Sequence, residues 1–311
     1  PAEDEKGNSV QKSQFLSELI ASTGLQDQLK TVDAGAIQKY YTQLLLPESR
    51  PFRLLDHDWI DHQLRDLTIS PTSLNKFLRC PLTFYFEQIL RVPTARTDRM
   101  GFGKAVHYAL EHFHRHFKKD QSLESLLHFF LEGMERHQSH FTVKQFEEQK
   151  FHGEQVLRGY YAARIDGWKQ MDDWQVEYRI KQVELAGVPI SGIIDKIEID
   201  PGNLRVVDYK TGRFYAAKLS PPKQENESGG DYWRQIVFYK LLLDQMPDYQ
   251  HRMQEGIMDF VIPDNQGKFT MRTIKVTPDD EKTVTQQLTD AYAKIKSHAF
   301  YPGCGEEDCY W

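Results

Sequence analysis

The chain has 311 residues, 40% of them hydrophobic and 27% charged, and a net charge of −6. That composition is ordinary for a soluble globular protein, with length for one large domain or two small ones. It excludes a membrane span, because no stretch approaches about 18 apolar residues, and three cysteines exclude a disulfide framework and favour a reducing compartment.

In chain order, the opening shows neither a basic start nor an apolar block, so no secretory leader is expected, and a start at Pro1 rather than Met is expected of a processed chain or a fragment. Residues 10–46 place apolar side chains at helical spacing, as in Phe15, Leu16, Leu19 and Ile20, up to Pro47. A short helix is expected over 56–67, making residues 1–67 a helical lead-in with no sign of chemistry. Ser70-Pro-Thr-Ser73 carries a hydroxyl cap and a first-turn proline, so a helix starts there, with Leu74, Phe77 and Leu78 as its buried stripe. Cys80-Pro81 interrupts it. Gly101-Phe-Gly103 leads into a helix bearing His107 and Glu111, and two further helices are expected over 123–136 and 142–171.

From Trp174 the pattern changes. Residues 175–185, 188–199 and 204–209 read as successive strands, 220–231 as a breaker-rich mobile loop and 232–246 as a helix. A second hairpin, 256–262 with 268–276, precedes a helix from Thr277 to about His298. The order predicts one α/β domain with a mixed sheet flanked by helices, in place of a doubly wound nucleotide-binding fold.

The chemistry concentrates on the middle hairpin. Asp200-Pro-Gly-Asn203 is a turn signal between β-branched flanks. With Pro201 and Gly202 as the loop, partner numbers sum to 403 and Asp195 opposes Asp208; a bulge would shift the pairing by one residue. Lys210 falls on the face of Asp208. Opposed like charges destabilise a sheet, so two carboxylates and a lysine on an apolar hairpin point to a bound cation, with a hard divalent metal the natural candidate. The bland reading is a solvated outer face.

Gln235 and Tyr239 share one helical face, where an amide and a phenol side by side suit a phosphate or base edge, or an ordinary amphipathic boundary. His107 sits one turn into its helix, within reach of a metal, although His112, His114 and His116 crowd the same helix. Arg91, Arg96, Arg99, Lys104, Arg115, Lys118 and Lys119 form a basic run, which is either a nucleic-acid patch or a solvated helix face. No phosphate-loop pattern occurs, so no nucleotide-hydrolysing motor is expected in the chain itself.

Five stretches in one order carry a family resemblance: the run from Ser70 to Tyr85, Gly101-Phe-Gly-Lys-Ala-Val-His107, Gly192-Ile-Ile-Asp195, Asp208-Tyr-Lys210-Thr-Gly and Gln235-x-x-x-Tyr239. Together they resemble the RecB/AddB branch of the PD-(D/E)xK nuclease superfamily over residues 68–311. The resemblance implies a restriction-endonuclease-like α/β core and a Mg²⁺- or Mn²⁺-dependent deoxyribonuclease, an exonuclease module of a helicase–nuclease in recombinational DNA repair. The motor would lie in the same full-length chain or a partner subunit, in a cytoplasmic, nucleoid-associated setting without membrane. It implies Asp195, Asp208, the Tyr209 main-chain carbonyl and His107 as metal ligands. Lys210 would position or deprotonate the attacking water and stabilise charge at phosphorus, Gln235 and Tyr239 would support the site or touch DNA, and Glu177 would be an outer partner. It also implies an iron–sulfur cluster: Cys80, Cys304 and Cys309 match three of its four cysteines, so a four-iron cluster is expected only in a longer chain that supplies the fourth. Two rivals stand beside this reading, a catalytically silent nuclease-fold module that binds DNA or a partner, and a zinc hydrolase built on the histidine-rich helix 107–116.

Overall fold

Apolar spacing and hydroxyl caps fix the helices of the computed structural model, which describes residues 14–24, 33–45, 56–200, 203–224, 227–249, 252–301, 303–306 and 309. The chain divides into two compact units, residues 1–54 and 55–311. The first holds helices α1 (Gln14–Thr23) and α2 (Ala34–Leu45), the expected helical lead-in. The short helix α3 (His57–Gln63) belongs to the second unit, because Ile60 and Leu64 are fully buried in its core.

In the second unit, Ser70 accepts from the Ser73 N–H and Ser73 returns the bond to Ser70, a capping box that starts α4 (Pro71–Arg79). Cys80 ends α4 and caps α5 (Pro81–Phe84), which runs on as a π-helical turn over Tyr85–Ile89. Helix α6 (Asp98–His116) starts at a Thr97 cap, so Gly101 and Gly103 lie inside it instead of ahead of it. Any Cβ on Gly103 would stand 3.0 Å from Thr211 Oγ1, so the glycine lets α6 approach the chain just past Lys210. Helices α7 (Leu123–Arg136) and α8 (Val143–Lys169) follow as expected.

Strands β1 (Asp173–Leu185), β2 (Val188–Asp200), β3 (Asn203–Lys210), β4 (Met253–Phe260) and β5 (Met271–Lys275) form a mixed sheet in that order. Only β3 and β4 run parallel. Helix α9 (Asp231–Leu243) makes the crossover between them, and α10 (Pro278–Lys296) starts from a Thr277 capping box. Residues 220–224 and 227–230 are irregular, closed by a 2.9 Å bond from Gly230 N–H to the Ser220 carbonyl.

Two apolar layers cover the sheet. Leu204 and Val206 of β3 pack with Ile236, Val237 and Leu288 of α9 and α10, whereas Val207 and Tyr209 pack with Val106, Phe113, Leu157 and Trp168 of α6 and α8. The period of two therefore puts Asp208 on the α9 side and Tyr209 on the α6 side. Gly192 serves the first layer, since a Cβ there would meet Leu242 Cδ1 at 2.5 Å. The β2–β3 register pairs Asp200 with Asn203 and Lys196 with Val207, so partner numbers sum to 403 as predicted, with no shift by a bulge. Pro201 and Gly202 of the turn lie outside the described residues. No described helix is long and apolar enough to cross a membrane.

Candidate active site

The β2–β3 ladder stops at Lys196↔Val207, one pair short of Asp195 and Asp208. Beyond that pair the Tyr209 N–H donates to the Asp195 carboxylate, at 2.9 Å from Oδ2, in place of a strand carbonyl. Asp195 thus satisfies a main-chain N–H at the point where the ladder ends. On the other side of β2, Val176 pairs with Lys196 and Tyr178 with Ile194, which leaves Glu177 facing Asp195 without a ladder pair. Glu177 has φ +49°, a left-handed backbone that is costly for a non-glycine residue and clusters at functional sites. Acids from three neighbouring strands therefore gather where the ladder opens.

Helix α6 brings His107 to them, its Nδ1 3.4 Å from Asp195 Oδ2. Ligand atoms of His107, Glu177 and Asp195 all lie within 4.8 Å of one another. Burial works against an imidazolium at His107, but the Asp195 charge and contact outweigh it and carry the pKa up to about 9. The imidazole still presents about a third of its side chain to solvent. Burial likewise opposes ionisation of Asp195, yet His107 and the Tyr209 N–H hold its carboxyl below the usual range. Glu177 is pushed up by burial and by the charges of Asp195 and Glu111.

Asp208 is 2% exposed. Its Oδ1 accepts from Gln235 Nε2 at 2.7 Å and from the Tyr239 hydroxyl at 3.0 Å. Its Oδ2 lies 2.7 Å from Lys210 Nζ, an ion pair off the angle of a hydrogen bond, so that oxygen is buried without a bonded donor. Burial raises the Asp208 carboxyl, with Lys210 opposing and Asp195 reinforcing, while Asp208 and Asp195 keep Lys210 an ammonium against burial. Lys210 donates to Gln235 Oε1 at 2.8 Å, so one amide ties the lysine to the acid it faces.

This donor set fits a divalent cation. Two carboxylates and one imidazole suit a divalent ion that takes oxygen and nitrogen donors, and a cation would offset the burial and the Asp195 charge that raise Glu177 and Asp208. The sequence put Asp208 and the Tyr209 carbonyl in the ligand set and Glu177 outside it. In the structure Glu177 stands with His107 and Asp195, while Asp208 faces Lys210, Gln235 and Tyr239. The signal for Glu177 was its place opposite Asp195 on an adjoining strand.

The other histidines of α6 do not join this group. His112 stacks on Tyr108, with centroids 3.9 Å apart, His116 bonds the His112 carbonyl, and buried His114 meets the Tyr209 hydroxyl through Nε2 at 3.0 Å. Among the described residues these three join no metal cluster, so a zinc site on this helix would have His107 as its one histidine ligand. The basic run is dispersed too: Arg115 is bound by Glu111 and Lys118 by Asp173, while Arg99 lines a separate cavity. Cys80, Cys304 and Cys309 do meet, with sulfur atoms within 4.8 Å of one another across a wide gap in sequence. The Cys80 thiol comes down to about 7, because contacts with Thr83, Cys304 and Cys309 outweigh burial.

The family model of the PD-(D/E)XK nuclease superfamily matches residues 68–311. Among solved structures, a protein from Eubacterium rectale with a provisional assignment as an exonuclease is 16% identical, with 84% of this chain and 92% of that one covered and a TM-score of 0.49. The structure of SSO0001 is 14% identical over 76% of this chain and 82% of its own, with a TM-score of 0.31. No curated protein matches the chain.

Proposed function

Because this chain belongs to the PD-(D/E)XK nuclease superfamily, we propose that it is a Mg²⁺- or Mn²⁺-dependent deoxyribonuclease, an exonuclease module working with a helicase motor in recombinational DNA repair. One observation carries the catalytic part: His107, Glu177 and Asp195 converge within 4.8 Å beside the Asp208–Lys210 ion pair. His107, Glu177, Asp195 and Asp208 would hold the ion, with the Tyr209 main chain next to them. When bound, the ion supplies charge at phosphorus and an activated water.

The remaining steps belong to the chain's own groups. Asp208 and Gln235 fix the Lys210 ammonium, whose remaining donor can orient the attacking water or meet the charge that grows on a non-bridging phosphate oxygen. Gln235, bonded to Lys210, Asp208 and Tyr239 together, is a positioning residue that holds the acid and the lysine in register. Such preorganised donors act strongly because the site is largely screened from water. The silent-module reading loses ground here, since Asp195, Asp208 and Lys210 are all present and the last two form an ion pair. The three thiols, which are all the cysteines of the sequence, would supply three of the four thiolates of an iron–sulfur cluster, and a fourth would have to come from a longer chain.

The test is cleavage of end-labelled DNA. Cutting is expected with Mg²⁺ or Mn²⁺, none with EDTA, and a loss of at least about 10²-fold in Asp208→Ala. Undiminished cutting in EDTA or in Asp208→Ala would overturn the reading.

A further inference from the structure

Past Lys210 the chain runs along a cavity of about 610 Å³ that no part of the proposed cutting chemistry uses. Thr211, Gly212 and Arg213, together with Arg99 of α6 and Lys218, line it, and Tyr215 and Tyr232 supply ring surface. Among its lining residues are three permanent cations and no carboxylate. None of Arg99, Arg213 and Lys218 makes an ion pair among the described residues, unlike Arg115, Lys118, Arg164 and Arg205 elsewhere on the molecule. Three uncompensated cations in one concavity attract an anion.

The cavity is joined to the catalytic centre through one ring. Lys210 Nζ stands 4.7 Å from the centroid of Tyr232 and Lys218 Nζ 5.1 Å from the same centroid. Tyr215 is different: it is 54% exposed, with Lys218 at 5.8 Å, so its ring is open to an incoming planar group. A large aromatic exposed beside unpaired cations is the arrangement by which proteins hold unpaired nucleotides, bases stacking on the ring and phosphates meeting the charges. The cavity across Gln235 and Tyr239 contrasts with it. That one, of about 440 Å³, offers Arg179, Lys181 and hydroxyls, and its only ring, Tyr239, is already bonded to Asp208.

We propose that the cavity beside Lys210 seats an unpaired nucleotide next to the cleaved bond, its base on Tyr215 and its phosphate among Arg99, Arg213 and Lys218, which makes single-stranded DNA the substrate class. The proposal rests on the nuclease reading for the identity of the cleaved bond. A base held in a duplex is stacked on its neighbours and would have to be extruded to use this seat.

The experiment measures fluorescence anisotropy of the full chain with a labelled single-stranded oligonucleotide and with its matched duplex, in EDTA so that nothing is cut. Tyr215→Ala should weaken single-strand binding roughly five- to one-hundred-fold and change duplex binding by less than about twofold, while Tyr215→Phe keeps both. Arg213→Ala should lower the salt dependence of single-strand binding by about one unit of slope. Single-strand affinity indifferent to Tyr215→Ala, or an equal loss on both DNAs, would overturn the proposal. A chain that shows this pattern but cuts nothing with Mg²⁺ leaves the seat standing and retires the nuclease reading. A chain that cuts but ignores Tyr215 retires the seat alone.

Discussion

Lys210→Ala is expected to lower DNA cleavage by about 10³-fold while divalent-ion binding persists, whereas Asp195→Ala loses both. The difference follows from what each side chain touches. Lys210 meets Asp208 and Gln235, and its ammonium is a donor to the substrate rather than to an ion. Asp195 sits between His107 and Glu177 and also accepts the Tyr209 N–H, so its removal opens the ion site and leaves a main-chain donor unpaired. Calorimetric titration with Mn²⁺, run beside single-turnover cleavage, separates the two variants. Equal loss of ion binding in both would mean that Lys210 shapes the ion site, and full cleavage by Lys210→Ala would remove it from the chemistry.

The second large effect is on stability. Arg234 of α9 is 1% exposed and is held by the Gln287 side chain at 2.8 Å, Asn75 Oδ1, and the carbonyls of Ser228 and Gly229. It binds α4, α10 and the loop before α9 into one corner, at the position just before Gln235. Arg234→Ala strands these acceptors and is expected to cost about 3–5 kcal/mol, which lowers the midpoint of thermal unfolding by on the order of 10 °C. Lysine should restore little, since one ammonium cannot span partners on three elements. Burial brings the Arg234 pKa down to about 10, so the guanidinium stays charged at neutral pH. Scanning calorimetry checks this, and a midpoint within about 2 °C of the natural chain would show that Arg234 holds nothing together.

Arg234 also marks where the sequence stopped speaking. Its neighbours come from residues 75, 228 and 287, and local pattern carries no record of such meetings. The same holds for the three cysteines and for the parallel junction of β3 and β4, made only after α9 has crossed over. What was legible is local. Ser70 announced a helix because a hydroxyl satisfies free N–H groups there, and Thr142 and Thr277 cap theirs in the same way in the structure. Pro201 and Gly202 gave the hairpin register because a short loop leaves few pairings, and the observed ladder keeps it. Even so, the pairing of Asp195 with Asp208 was legible only as position: a ladder pattern cannot say that the ladder ends short of Asp195, nor that Glu177 takes a left-handed backbone to join it. The site lies where strand periodicity breaks.

Manganese makes the central idea directly visible. In crystals soaked with Mn²⁺, anomalous diffraction should give a peak enclosed by His107, Glu177 and Asp195, next to Asp208 and absent from Asp195→Ala crystals. A peak elsewhere, or density between those three side chains that stays empty at saturating Mn²⁺, would contradict the account.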